Sequence, residues 1–264
     1  MSVTSTGGWV PAVDQAAFPA PAPPRPAPPA PPVPAEPDAP AWDLVIVVGA
    51  GGGVGRSTIA DLVARGLCGA GPVLLVDDTP GLFSSRRTLP RDRDGLAVVP
   101  GYDGDYEVLA PEEPMSRIDT LAMVEAAGPS WSSLVIDTYD GVLYLLRSDP
   151  WSRLLTAPWA RVLLATASAT GPLQQAVTAA RALRQAGVAQ GNLVAAVADI
   201  SAGRVPRPAL ARMTLLGAEC GAVARVPHLT SVRAAGRLEA GHGGRPAERA
   251  ATALVRHLAL KETT

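Results

Sequence analysis

The residues best placed to do chemistry fall in three short stretches. The segment GAGGGVGRST over 49–58 sets glycines ahead of Arg56, Ser57 and Thr58. Consecutive glycines let backbone amides turn inward and approach a phosphate without interference from side chains. A helix starting just beyond them adds free amides and a partial positive charge. Asp77 and Asp78 end the run VLLVDD, and Asp137 ends SLVID. Residues 50–57 (AGGGVGRS) fit the phosphate-loop pattern G-x-x-x-x-G-K-[ST], with Ala50 for the first glycine and Arg56 for the lysine. The same turn also fits G-x-x-x-G-x-G, the dinucleotide turn of short-chain dehydrogenases, with Asp77 or Asp78 placed to bind a ribose. The loop alone leaves both readings open. Ser57 also suits a plain helix cap, and Asp137 a turn acceptor.

Asp43–Gly49 (DLVIVVG) is a short continuous apolar run ending in glycine, as a strand buried on both faces requires. Similar runs recur at Val73–Asp77, Leu96–Pro100, Leu134–Asp137, Val162–Ala165, Leu193–Ala198 and Ala222–Pro227. Helical patterns fall between many of them, at Ser57–Leu67, Ile118–Ala127, Leu173–Ala186, Ala209–Leu216 and Ala247–Leu260. Alternation of this kind predicts an α/β fold, a doubly wound, mostly parallel sheet flanked by helices. Ligands of such sheets bind at the carboxyl ends of the strands, which is where the glycines and aspartates stand.

Composition bounds the rest. The chain has 264 residues, 47% of them apolar, and a net charge of −1. It therefore carries no overall basic field for nucleic acid. The first 41 residues are read as a disordered arm, nearly all Pro and Ala from Ala17 to Pro40, which favours extended polyproline II. It is read as a solvated spacer or as a docking segment for a proline-binding partner. Residues 42–264 are the folded domain. Cys68 and Cys220 lack metal spacing and are read as reduced core thiols. Neither a signal peptide nor a spanning helix is expected, which makes cytoplasmic the default. The clusters Arg204, Arg207, Arg212 and Arg233, Arg237, Arg245 are read as solvated surface rather than a DNA face. The last helix is read as packed on the sheet rather than on a membrane. His228, His242 and His257 show no ligand spacing.

Lys261 is the only lysine, and no tyrosine stands four residues before it. The Tyr-x-x-x-Lys pair of short-chain dehydrogenases is therefore absent, and that reading survives only as a non-catalytic dinucleotide binder. The chain instead resembles the ParA/MinD family of P-loop ATPases. GGGVGRST over 51–58 is similar to the family's K-G-G-x-G-K-[ST]-[ST] with both lysines replaced. VLLVDDTPG resembles its D-x-D strand end, with Asp77 kept and Thr79 in the second acidic place. SLVIDT looks like its Walker B strand. ATASATGPLQQAV over 165–177 and ARVPHLTSVRAAG over 224–236 follow in the family's order. The resemblance spans about Asp43 to Leu260.

It implies ATP or ADP with Mg²⁺ as cofactors. Gly51, Gly52, Gly53, Val54, Gly55, Arg56, Ser57 and Thr58 would bind nucleotide, with the β-phosphate on the amides of Gly52–Gly55 and the α-phosphate near Thr58. Ser57, Asp77 and Asp137 would hold the metal. Gly51 stands where the family's extra lysine reaches across a dimer, and Asp78 is the one candidate for water activation beside Thr79. Arginine brings a wide planar fork in place of a compact ammonium, so the change at Arg56 is not conservative. Hydrolysis is expected to be weak or absent, and the work to be done through protein partners, a homodimer included.

Overall fold

The structure, a computed structural model, describes residues 42–80, 83–92, 95–110, 122, 130–230, 232 and 244–258. The expected arm over 1–41, nearly all of the helix over 118–127, and Arg233, Arg237, His242 and Lys261 lie outside these residues. Among the described residues eight strands form one sheet: β1 (Asp43–Gly49), β2 (Val73–Asp77), β3 (Ala97–Pro100), β4 (Asp105–Leu109), β5 (Ser133–Gly141), β6 (Ala160–Ala167), β7 (Leu193–Ala198) and β8 (Ala222–Val226). Their spatial order is β3-β4-β2-β5-β1-β6-β7-β8. Every pairing is parallel except β3 with β4, an antiparallel edge.

The apolar runs are explained by burial on two sides. Leu44 to Val48 of β1 have no exposed surface, and alternate residues feed two separate cores. Each such side chain contributes about 1.5–3 kcal/mol relative to leaving it in water. One core lies beneath α1 (Arg56–Leu67) and α6 (Gly244–Leu258). The other lies beneath α2 (Val142–Arg147), α3 (Asp149–Thr156), α4 (Thr170–Ala186) and α5 (Arg207–Glu219). Helix α6 buries Ala247, Ala250, Ala251, Leu254 and Leu258, so it packs on the sheet as its spacing predicts. Cys68 and Cys220 are both buried and free, and burial pushes the Cys220 thiol up to about 12.

Several elements depart from the sequence reading. β5 and β6 run beyond the expected Leu134–Asp137 and Val162–Ala165, and β4, α2 and α3 were not expected at all. None of the described helices is long and apolar enough to cross a membrane.

With β5 on one side of β1 and β6 on the other, the strand order reverses at β1. The loop after β1 therefore opens into the crevice that such a reversal creates at the strand carboxyl ends.

Candidate functional site: a glycine loop beside a buried arginine

The loop is anchored at its start by the Ala50 amide donating to the Ala165 carbonyl of β6, at 3.0 Å. It turns through Gly53 (φ 68°) and Gly55 (φ 80°), left-handed conformations that glycine adopts without strain. The Ile59 amide then donates to the Gly55 carbonyl at 2.9 Å, which starts the ladder of α1. The amides of Arg56, Ser57 and Thr58 thus belong to a helix start, where no intrahelical acceptor exists. A Cβ at Gly52 or Gly53 would meet nothing, so the turn faces open space. At Gly51 a Cβ would lie 2.8 Å from Oε1 of Gln175 on α4, and that amide covers the position.

Clefts open on both sides of this loop. One, of about 740 Å³, is lined by Gly49, Gly51 to Thr58, Thr79, Phe83, Tyr139, Asp140 and Gly141. The other, of about 620 Å³, shares Gly53, Val54, Gly55 and Thr58 and is walled by the apolar Ile59, Ala198, Ile200, Pro227, Leu229 and Val232 together with Asp199 and His228. The first is rimmed by a stacked aromatic pair, Phe83 and Tyr139, with ring centroids 6.3 Å apart. A phosphate-sized anion and an apolar ring system would find separate room on either side of one backbone turn.

The acidic side of the site is set by strand register. Asp77, the last residue of β2, pairs directly with Asp137 in the middle of β5, so the two residues stand at one level on adjacent strands. Between them sits a residue that the sequence reading missed. Arg86, on the 3₁₀ turn Ser85–Thr88 that follows β2, is buried with 3% of its side chain exposed. Its Nη1 lies 2.7 Å from Asp137 Oδ2 and 3.0 Å from Asp77 Oδ2. Its Nε donates to Asp61 Oδ1 of α1 at 3.1 Å, and Nη2 to the Ser57 carbonyl at 2.8 Å. Ser84 Oγ donates to Asp77 Oδ2 at 2.5 Å and accepts from the Arg86 amide, which fixes the turn. The Thr79 amide takes the other oxygen of Asp77 at 3.0 Å.

Arg56 is drawn to the same Asp137 carboxylate. Its Nε donates to Asp137 Oδ1 at 2.8 Å and its Nη1 to the Tyr139 carbonyl at 2.9 Å. Both oxygens of Asp137 are therefore engaged by guanidinium groups. Arg56 still lines the larger cleft, held toward β5 rather than standing free in the loop.

Burial and charge compete across this cluster. Burial works to raise the Asp77 carboxyl, but Arg86 and the Ser84 and Thr79 donors outweigh it and hold the group below the ordinary range. At Asp61 burial wins, and the carboxyl is raised despite its bond to Arg86. The Arg86 guanidinium is buried too, yet the three surrounding carboxylates hold its proton more tightly than water does. Asp78 lies apart from the network. Burial, with Asp140 and Asp77 nearby, pushes it up to about 6 against the Tyr139 amide and Arg56. Its carboxylate accepts from the Tyr139 amide at 3.4 Å, and it is not among the residues that line the cleft.

The expected nucleotide residues, Gly51 to Thr58, are thus together on one cleft wall, whereas Asp77 and Asp137 are buried and not among the residues that line it. The expected metal ligands are differently disposed. No described side chain engages the Ser57 hydroxyl, whereas the carboxylates of Asp77 and Asp137 serve arginine. A divalent ion at the ~2.1 Å typical of magnesium–oxygen bonds would compete with Arg86 Nη1 for the same two oxygens. As arranged, the two carboxylates do not fit a free ion. No group of three or more His, Cys, Asp or Glu among the described residues is disposed to share one. No spacing rule marks Arg86 in sequence, because it stands in an arginine-bearing loop beside Arg87, which is exposed.

No protein-family model and no curated protein sequence matches the chain. Solved structures do match in fold. The septum site-determining protein MinD of Pyrococcus horikoshii, in complex with Mg-ADP, superposes with a TM-score of 0.58 at 13% identity, over 83% of this chain and 96% of that one. MinD in the MinC:MinD cell division complex of Aquifex aeolicus gives 0.60 at 17%, over 82% and 95%. A ParA family ATPase of Chlorobium tepidum gives 0.56 at 16%, over 83% and 99%. The chain has the fold of the MinD/ParA-type P-loop ATPases.

Proposed function

We propose that this chain binds a nucleoside di- or triphosphate on the Gly51–Thr58 loop, hydrolyses it weakly or not at all, and acts as a positioning, partitioning or secretion-associated switch or scaffold through protein partners. The observation that carries the reading is the open glycine turn between two clefts, with Arg56 tied to Asp137 and Tyr139 on one wall. The cradle for phosphate is present, while the groups that would drive transfer are altered. Arg56 is engaged by β5, Gly51 offers no charge, and Thr79 offers no carboxylate. Loss of one donor aimed at the transition state typically costs ~10²-fold or more in rate. Mg-ADP in the Pyrococcus horikoshii structure supports a nucleotide as the ligand, with magnesium to be tested beside it. The MinC:MinD complex supports action through a protein partner. The arm over 1–41 would tether the domain to such a partner, and residues 42–264 would form the nucleotide-binding unit.

The test is titration of the full chain with ADP, ATP and NAD(P), followed by phosphate release. Binding of ADP or ATP with little phosphate release is expected, and Arg56→Lys should raise release. Turnover matching an intact P-loop ATPase would overturn the lost hydrolysis. Preference for NAD(P) would favour the dinucleotide reading. Both oxygens of Asp77 already have donors, which leaves Asp78 as the carboxylate for a ribose in that reading.

A further inference from the structure

We infer that Arg86 is a built-in cation in the seat a divalent metal would take, so that this chain binds a nucleoside polyphosphate without a metal ion. The inference rests on the nucleotide reading above for its ligand, but the cation seat is a property of the protein alone. The guanidinium touches Asp77 Oδ2, Asp137 Oδ2, Asp61 Oδ1 and the Ser57 carbonyl at 3.0, 2.7, 3.1 and 2.8 Å. Of these acceptors only the carboxylates of Asp77 and Asp137 meet on a single atom, Arg86 Nη1, and they are the two carboxylates the family resemblance assigns to a divalent ion. Here a guanidinium nitrogen takes both.

A covalently attached guanidinium differs from an ion in two ways. It cannot dissociate, and it cannot lose its charge at any ordinary pH. Its planar fork also needs several acceptors at fixed angles, and Ser84, Asp61 and the turn Ser85–Thr88 supply the alignment. With Arg56 on the second oxygen of Asp137, the carboxylates face two fixed positive charges before any ligand arrives. The repulsion an incoming phosphate would meet from Asp77 and Asp137 is therefore already offset. In a metal-dependent site that offset comes from the exchangeable ion. A buried ion network that merely holds the fold together makes no such claim about metal, and the two roles separate by experiment.

A fluorescent ADP analogue is titrated into the full chain in EDTA and in excess MgCl₂. Affinities within about twofold of each other are expected, because no metal forms part of the complex. A loss of about tenfold or more in EDTA would overturn the inference. If the analogue binds in neither buffer, the nucleotide reading fails, and the seat is decided on the nucleotide-free protein. There, Mn²⁺ followed by its electron spin resonance signal and by melting should leave the wild type unchanged. Arg86→Ala opens the seat, and its melting temperature should rise with Mg²⁺ or Mn²⁺. Should that variant be unfolded in EDTA, recovery of its melting transition by either ion is the expected result. Absence of any metal response in Arg86→Ala, or Mn²⁺ bound by the wild type and lost in Asp137→Asn, would overturn it.

Discussion

Arg86 shows how tightly the fold of this region depends on one side chain. Truncating it leaves Asp61, Asp77 and Asp137 buried around a vacant centre, and breaking such a network from one side typically costs about 3–5 kcal/mol. Arg86→Met should therefore lower stability to urea by roughly that amount in metal-free buffer, whereas substitution of exposed Arg87 should stay within about 0.5 kcal/mol. Asp78 gives an independent test with a definite sign. Its carboxyl is raised from 3.8 to about 6, chiefly by burial, so the folded state binds its proton more tightly than the unfolded chain. The stability this contributes is fully present below the unfolded value and is lost as pH rises through about 6. Asp78→Asn should then be more stable than wild type at neutral pH, and the gap should narrow as pH falls below 6. A gap that is constant across this range, measured by urea midpoints, would remove Asp78 from the account. At this scale the sequence was half legible. Asp77 and Asp137 announce themselves by ending apolar runs, and register then brings them level. Arg86 and Asp61 come from a loop and a helix, and only the closed fold brings them to those carboxylates.

Among the elements, the loop from β1 to α1 holds the site and also limits what can replace it. Gly55 sits at φ 80°, and a Cβ there would meet only the Ala198 side chain at 3.6 Å, an ordinary contact. Any penalty from Gly55→Ala is therefore backbone strain, about 1–2 kcal/mol for an L-residue in the left-handed region. The variant should melt lower by a corresponding amount and lose affinity for an ADP analogue, since its amides leave the inward turn. Undiminished affinity would argue that phosphate is held elsewhere. Strands buried on both faces were easy to read, because β1, β2 and β7 carry unbroken apolar runs. β4 was not, because DYEVL alternates charged and apolar residues near an edge and lacks such a run. α2 and α3 were missed for a related reason. Leu143 and Tyr144 are apolar yet exposed, which spoils the helical period over α2.

Those exposed residues belong to the molecule's association behaviour. Phe83, Tyr139, Leu143 and Tyr144 all present apolar surface on or beside the cleft rim, with Phe83 71% and Leu143 57% exposed. Leu143 and Tyr144 share a hollow with Ala50, Gln174 and Gln175, so the patch continues from the start of the glycine loop onto α4. Apolar residues scattered singly need no explanation, whereas exposed apolar residues grouped on one face are characteristic of protein, membrane or ligand contacts. The near-neutral charge of the chain does little to keep two copies apart. We therefore expect the full chain to self-associate through this face, with nucleotide in the cleft strengthening the contact because both sit on one wall. Leu143→Asp should shift the mass measured by light scattering toward the monomer while leaving its melting temperature nearly unchanged, since the side chain is more than half exposed. Leu215, comparably exposed on α5 but not among the residues lining these clefts, supplies the control. If Leu215→Asp shifts the mass equally, the effect is one of general solubility. If neither variant does, the chain does not self-associate through this face.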